Sequence, residues 1–200
     1  MFTHYIKFIL FIFFNFSSFS LMAFEKGQLN INTGFGIFGS RGVLGISADK
    51  FISENHVISF STALDAIGPS MSMGYKYFDK AFNRPGTGTF LDKCFFLFDC
   101  ESHPYVGLSL QYASGTKIEF TSENQKRDYA TKSAQLGLML IGFRDVFKNN
   151  MTLDLEISNR NLLTGGKIQQ TSGPSNSNDI SNLKSAYNSF GVGLAIGYLF

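Results

Sequence analysis

The chain has 200 residues, of which 44% are hydrophobic and 16% charged, and this composition excludes an intrinsically disordered protein. Its formal net charge is only +2, and its lysines and arginines are scattered, so we expect no nucleic-acid partner. A mean hydropathy of +0.04 is too low for a bundle of membrane helices, each of which needs about 20 consecutive apolar residues. The 20 glycines and 23 phenylalanines are nevertheless an unusual mixture for a soluble core.

Residues 1–23 have the order of a secretory signal peptide. One cation, Lys7, precedes an apolar run over residues 8–16, and serines follow. We expect cleavage after Ala23, or alternatively after Ser20, because Leu21 occupies a position that usually holds a small residue. An uncleaved membrane anchor is the other interpretation, but a run of about nine apolar residues is short for a membrane span.

Beyond residue 27 the sequence alternates bulky and small residues with a period of two, which is typical of β-strands. The pattern recurs about eight times along the chain. In chain order, the bulky positions run from Leu29 to Ile37, Leu44 to Ala48, Ile58 to Leu64, Met71 to Tyr77, Val106 to Tyr112, Leu136 to Leu140, Met151 to Ile157 and Phe190 to Phe200.

The opposite faces of these strands are mainly glycine, alanine and serine. The outer face of a soluble sheet usually carries charged and long polar residues instead. Small residues suit the crowded interior of a narrow barrel, and bulky residues suit contact with lipid. The sequence therefore predicts an all-β fold, an eight-stranded antiparallel up-and-down transmembrane β-barrel over residues 24–200. A ten-stranded barrel is the alternative, and the bulky Leu136, Leu138 and Leu140 are expected to face lipid.

The connections between strands predict the orientation of the barrel. Residues 53–55 and 148–150 are short turns, as expected on the periplasmic side. Residues 113–132 and 164–186 are long, and we expect them to project as solvated extracellular segments. The first keeps a strand period through Phe120, and its run Lys126-Arg127-Asp128 is expected to be a solvated loop tip, with contact to lipopolysaccharide phosphates as the alternative.

The connection at residues 79–103 is long for the periplasmic side. It contains the two cysteines, Cys94 and Cys100, in a C-x5-C spacing. Because export permits disulfides, we expect a hairpin clipped by a Cys94–Cys100 disulfide. Metal binding would need more ligands than His103 supplies.

Several polar residues fall on the small faces, and these are expected inside the barrel. They are Asp49, Asp65, Lys76, Gln111, Asp154 and Glu156, together with Asn30 and Asn32. We expect opposite charges to pair there and to plug the interior, with a polar channel as the alternative. Asp154 and Glu156 point the same way on one strand, but nothing indicates a substrate cleft beside them. We therefore expect no catalytic, cofactor or metal site.

The last eight residues end on Phe200, with apolar Leu194, Ile196 and Tyr198 at every second position before it. This resembles the carboxy-terminal strand of Gram-negative outer-membrane barrels, and residues 28–200 are similar to the eight-stranded OmpA transmembrane-domain and OmpX type. The resemblance implies an outer-membrane location and recognition of these four residues by the barrel-assembly machinery. Tryptophan is absent, so tyrosines are expected to form the girdles at the membrane interfaces: Tyr75, Tyr77, Tyr105, Tyr112 and Tyr198.

The expected function is structural or adhesin-like. The expected partners are outer-membrane lipid, lipopolysaccharide and a host or surface ligand at the projecting segments. A small porin-like channel is one alternative, and a lipid-modifying enzyme is another. The lipid A deacylase family uses a His-x-Ser pair, and none of His4, His56 and His103 has serine at that spacing.

Overall fold

The computed structural model describes residues 24–37, 39–79, 82–83, 100–122, 125–174 and 176–200. The elements in chain order are β1 (Leu29–Ile37), β2 (Leu44–Phe51), β3 (His56–Asp65), β4 (Gly68–Phe78), β5 (Phe82–Asn83), β6 (Cys100–Ala113), β7 (Lys117–Ser122), β8 (Gln125–Thr131), β9 (Ala134–Phe147), β10 (Met151–Gly165), β11 (Ile168–Ser172), α1 (Ser177–Ser185) and β12 (Ser189–Leu199). No helix among them is both long and apolar enough to cross a membrane.

Eight strands form a closed antiparallel ring. Their order is β4-β3-β2-β1-β12-β10-β9-β6, and pairing between β4 and β6 closes the sheet on itself. The first and last strands of the chain, β1 and β12, are neighbours in the ring. The prediction of an eight-stranded antiparallel barrel is confirmed, and the ten-stranded alternative is wrong. Strand β5 pairs with the beginning of β6, outside the ring.

The two ends of the barrel differ in the length of their connections. At one end, which we call the turn end, residues 52–55 and 148–150 join neighbouring strands. The opposite end, the loop end, carries the tight turn at residues 66–67 and the long connections 114–133 and 166–188. Strand β6 starts at Cys100, so the connection predicted over residues 79–103 contributes its last residues to the barrel wall. The predicted signal peptide and Cys94 lie outside the described residues, and the disulfide stays a prediction.

Side chains alternate between the interior and the outside of the barrel, as the period of two predicts. In β10, Thr152, Asp154 and Glu156 are buried, whereas Leu155 and Ile157 are exposed. The residues of β12 alternate in the same way, and there the inward positions are mostly glycine and alanine. The small faces therefore line the interior of these strands.

Strand β9 has the opposite orientation from the one predicted. Leu136, Leu138 and Leu140 are buried inside the barrel, and Met139 and Ile141 are exposed instead. The cause is Arg144, which shares the face of these leucines because it lies an even number of residues away. Its charge is paired inside the barrel, and this fixes the leucine face inward.

The long connections form structure of their own at the loop end. Strands β7, β8 and β11 make a three-stranded antiparallel sheet, which we call the loop sheet. It joins residues from both predicted loops, because β8 belongs to the first and β11 to the second. Strand β6 does not run on into β7, since the chain bends at Gly115, whose φ is +81°. Short helix α1 follows the loop sheet.

The close approach of strands explains some inward glycines and yields a test. A Cβ at Gly34 would collide with Cβ of Ala195 and the carbonyl oxygen of Leu194, whereas one at Gly193 would find its nearest neighbour, the carbonyl oxygen of Phe35, 3.9 Å away. We expect Gly34→Ala to lower the free energy of unfolding by about 1–3 kcal/mol through overpacking. Gly193→Ala is the matched control and should be neutral or slightly stabilising. Urea unfolding of the refolded protein measures both, and equal stability of the two variants would contradict this account.

Candidate functional site

Arg144 is at the centre of the charged barrel interior. Its guanidinium donates to both carboxylate oxygens of Asp154, with Nε–Oδ1 and Nη2–Oδ2 distances of 2.7 Å, and it also pairs with Asp49. Asp49 receives a second cation, Lys76, at 3.2 Å. None of these four side chains is more than 3% exposed. Strands β2, β4, β9 and β10 are therefore linked across the lumen by charge-assisted hydrogen bonds.

Arg41 enters the interior from the connection between β1 and β2. Its Nη2 lies 2.6 Å from Asp154, and its Nη1 is 3.8 Å from Glu156. Glu156 also accepts hydrogen bonds from the hydroxyl of Ser40 at 2.6 Å and the hydroxyl of Tyr105 at 3.2 Å. We call the six charged residues of this cluster the charge network: Arg41, Asp49, Lys76, Arg144, Asp154 and Glu156.

A second ion pair lies closer to the loop end. Arg160 pairs with Asp65, whose carboxylate also accepts from the side-chain amide of Gln111 at 3.2 Å. The same guanidinium donates to the backbone carbonyl of Ala186 at 3.4 Å. This pair therefore connects the barrel wall to the segment that follows α1.

The charges of these two clusters balance. Asp49, Asp65, Asp154 and Glu156 carry four negative charges, and Arg41, Lys76, Arg144 and Arg160 carry four positive ones. Buried charges are tolerated when they are paired, so a neutral set in which every charged side chain has an oppositely charged partner suits an enclosed interior.

Six of the eight polar residues expected in the lumen lie in these clusters, and the other two, Asn30 and Asn32, are buried and hydrogen-bonded to each other. The three arginines were not expected from the sequence. A signal for two of them existed. Arg144 shares the parity of the inward positions of β9, and Arg160 continues that of Asp154 and Glu156 along β10. Four expected carboxylates against one lysine also left three positive charges unaccounted for. Arg41 lies in a connection, where no strand period applies.

Aromatic side chains close the turn end. Phe24 stacks on Phe51 with ring centroids 4.3 Å apart and contacts Phe78 edge-on at 5.2 Å. The His103 ring lies 4.1 Å from Phe24 on another side. The charge network lies against this cluster, because the Arg144 guanidinium is 5.1 Å from the ring of Phe78. The interior is thus covered by packed rings at this end.

Tyr105 does not belong to an interfacial girdle, contrary to the expectation from the sequence. It is buried, and its ring lies 5.0 Å from that of Phe78 while its hydroxyl reaches Glu156. The reason is strand alternation: the exposed Val106 and Leu108 occupy the outward positions of β6, so Tyr105, one residue before Val106, points inward. Among the other tyrosines expected in girdles, Tyr75, Tyr77 and Tyr112 are exposed and Tyr198 is half-buried.

Helix α1 and the residue pair that follows it cover the loop end. Arg127 of β8 pairs with Asp179 of α1 at 2.8 Å, and the Tyr129 hydroxyl donates to the same carboxylate at 3.1 Å. Ala186 and Tyr187 join the buried apolar cluster that includes Ile67, Leu136 and Leu138. We call α1 with Ala186 and Tyr187 the cap. Burial and the hydrogen bond to Asp179 raise the pKa of Tyr129 above the ordinary value of a phenol.

The cap corrects two expectations about the loops. The run Lys126-Arg127-Asp128 is not wholly a solvated tip, because Arg127 is buried. The segment 164–186 is not wholly a solvated loop either, since Asp179 and Leu183 are buried. The polar composition of α1 gives no sign of this burial in the sequence, because only those two of its residues are turned toward the protein.

The remaining site expectations concern catalysis, metals and assembly. Asp154 and Glu156 lie together, but both are buried and bound to Arg41, which leaves neither carboxylate open to a substrate. No group of three or more His, Cys, Asp or Glu in the described part of the chain is placed to hold a metal ion. Leu194, Ile196, Tyr198 and Phe200 share the outward side of β12 and its end.

Comparison with solved structures finds the N-terminal β-barrel domain of Pseudomonas aeruginosa OprF. The two chains are 12% identical, the alignment covers 88% of this chain and 98% of that domain, and the TM-score is 0.47. No protein-family model matches the sequence, and no curated protein matches it either. The assignment as an eight-stranded barrel follows from the strand pairing of this chain itself.

The charge network predicts a large effect from removal of its central cation. We expect Arg144→Met to lower the free energy of unfolding by about 3–5 kcal/mol, because Asp49 and Asp154 lose a buried partner. Lys126→Met is the matched control: its ion pair with Glu119 is exposed, and its loss should cost less than about 1 kcal/mol. Denaturant unfolding under identical conditions measures both variants. A cost for Arg144→Met no larger than that of the control would contradict the central role of this residue.

The cap predicts a local effect that leaves the barrel intact. Asp179→Asn removes the carboxylate shared by Arg127 and Tyr129, which should undock α1 and let it unfold locally, so that trypsin cleaves after the exposed Lys184 in its last turn. Loss of the charged hydrogen bond from Tyr129, worth about 1.5–3 kcal/mol, together with the ion pair to Arg127 predicts at least a tenfold faster cleavage after Lys184. Ser181→Ala changes an exposed residue of the same helix and should leave the rate unchanged. Equal cleavage rates in both variants and the parent protein would show that this contact does not hold the cap.

Proposed function

We propose that this protein is an integral outer-membrane β-barrel with a closed interior, and that the loop sheet and the cap act as a structural or adhesin-like surface outside the cell. The observation that carries the proposal is the combination of an apolar outer wall with a charged, fully paired interior. A soluble barrel has the reverse arrangement, because water would solvate its outer wall. Lipid is the solvent that this outer wall fits.

The apolar wall is continuous around the ring. Large hydrophobic side chains are exposed on all eight barrel strands, as illustrated by Phe35 on β1, Met71 on β4, Leu108 on β6, Ile141 on β9 and Phe190 on β12. Phe190 is 76% exposed and Met71 68%. Soluble monomers rarely expose contiguous apolar patches larger than a few hundred Å². Ring closure adds a second requirement of lipid, since it leaves no free strand edge in the wall.

The lengths of the connections support one orientation. Bacterial outer-membrane barrels have short periplasmic turns and longer extracellular loops, so the turn end is assigned to the periplasm. Aromatic residues near this end suit a membrane interface: His56 contacts Tyr75 and Tyr77, and Tyr198 contacts Phe200. The loop sheet and the cap then lie outside the cell. In this proposal the outward residues of β12 are the ones that the assembly machinery reads.

The closed interior favours a structural or surface-binding role over a pore. An eight-stranded barrel is only wide enough for side chains to fill, and here paired charges, aromatic rings and the cap fill it. The two carboxylates considered for catalysis, Asp154 and Glu156, both form ion pairs with Arg41. The proposal therefore places the interaction with other molecules on the loop sheet and the cap.

Membrane insertion is tested with the refolded protein and a charged substitution in the apolar wall. We expect the chain to float with phospholipid vesicles and Leu108→Arg to reduce insertion, because an arginine at mid-bilayer costs about 2–4 kcal/mol. Gln169→Arg adds the same charge to the exposed loop sheet and should insert normally. The same vesicles, fused with a planar bilayer, should show no conductance above that of lipid alone.

Three results would overturn parts of the proposal. If the parent protein stays soluble without lipid or detergent, and Leu108→Arg improves its solubility, the barrel is not a membrane protein. Discrete single-channel currents from the inserted parent protein would instead identify the small-pore alternative. A change in lipid mass on incubation with these vesicles, lost in Asp154→Ala, would identify the lipid-modifying enzyme.

A further inference from the structure

We propose that Lys117, Lys132 and Lys167 form a cationic patch that binds the phosphate groups of lipopolysaccharide in the outer leaflet beside the barrel. We call these three residues the lysine patch. This inference rests on the proposed membrane orientation and adds a partner and a binding site to it. The lysine patch is distinct from the Lys126-Arg127-Asp128 run, whose two cations are engaged in ion pairs.

Lys132 and Lys167 are brought together where the loop sheet joins the barrel wall. The backbone N–H of Lys132 donates to the carbonyl of Lys167 at 2.8 Å. Their sequence neighbours Thr131 and Ile168 are paired across the same ladder and turn inward, since Thr131 is buried and Ile168 packs against the core. The two lysines consequently project from the opposite, outer face, and both are exposed.

Lys117 lies on the same outer face of the loop sheet. It is paired with Ala130, two residues before Lys132, while its neighbour Ile118 is paired with the buried Tyr129. Because side chains alternate along a strand, Lys117 points away from the cap and toward the side of Lys132. Like the other two, it is exposed. Three cations therefore share one face within two rows of the sheet.

The acids of the loop sheet and the cap have other partners. Glu119 binds Lys126 at 2.7 Å, Asp179 binds Arg127, and Asp128 accepts from the hydroxyl of Ser172 at 2.7 Å. Within the residues that the structure describes, none of the three lysines forms an ion pair with an acid. Neighbouring like charges repel, so a shared anion would stabilise the patch.

The position of the patch relative to the apolar wall identifies that anion. Lys117 follows Tyr112, an exposed apolar position of β6, by five residues, which span at most about 17 Å even in an extended chain. The patch therefore lies just beyond the wall at the loop end, and it faces sideways toward surrounding lipid headgroups. Lysine is a common ligand of phosphate as a mobile point charge. Phosphates on the sugar headgroup of lipopolysaccharide are negatively charged, and they lie just beyond the hydrocarbon region, at the level of the lysine patch.

The test compares two sets of three charge removals in the full chain. The patch variant is K117Q/K132Q/K167Q, and the matched control is K26Q/K126Q/K184Q, which removes the same net charge from exposed positions elsewhere. Binding of fluorescent lipid A to protein in nanodiscs is measured for the phosphorylated and the dephosphorylated form. We expect the patch variant to bind phosphorylated lipid A at least about tenfold more weakly, on the basis of about 1 kcal/mol per lysine near a charged surface.

The outcomes separate the patch from the membrane assignment. Support requires that the control binds like the parent protein and that removal of the phosphates weakens binding to the parent protein but not to the patch variant. If the patch variant inserts normally into nanodiscs and binds phosphorylated lipid A like the parent protein, the lysine patch is wrong while the membrane proposal stands. Equal weakening in patch and control variants would also overturn it, because bulk charge would then explain binding. Failure of all proteins to insert would overturn the membrane proposal itself.

Discussion

The bidentate pairing of Arg144 with Asp154, extended to Asp49, is the interaction on which the rest of the interior depends. A single guanidinium with five fixed donors can connect two carboxylates from different strands, which the point charge of a lysine does less well. Once this pair forms, β9 has only one possible orientation. Its leucines must face inward, and its exposed residues Met139 and Ile141 must join the outer wall.

Much of the fold could be predicted from the sequence because strand alternation is a local signal. Seven strands show it with bulky side chains outward, and the pairing of β4 with β6 closes the ring so that the wall has no free strand edge. Strand β9 deviates because its leucines are on the inward face, below the cap. Hydrophobicity alone could not distinguish the two apolar faces of this strand. Arg144, four residues beyond Leu140, is on the same face as the leucines and therefore shows which face of β9 points into the barrel.

The cap was beyond sequence-based prediction for a different physical reason. Helix α1 is rich in serine and asparagine, and it is held by one buried ion pair and a phenol rather than by an apolar stripe. Such a helix has no periodic hydrophobic signal, since most of its surface meets water. Its partner residues, Arg127 and Tyr129, lie about fifty positions earlier in the chain and become neighbours only through the β8–β11 ladder.

The contacts that hold the barrel wall together differ from those that hold the loop sheet and the cap in place. The rings at the turn end and the charge network fix the barrel without the loop sheet and the cap, as they involve β2, β4, β9, β10, Phe24 and, from the β1–β2 connection, Arg41. The loop sheet and the cap depend on each other through Asp179 and on the barrel mainly through Arg160 and Tyr187. Local opening is expected first where buried contacts are few, which here is the cap. The barrel wall and the loop-end surface therefore depend on largely separate contacts, which is the division that the proposed surface-binding role requires.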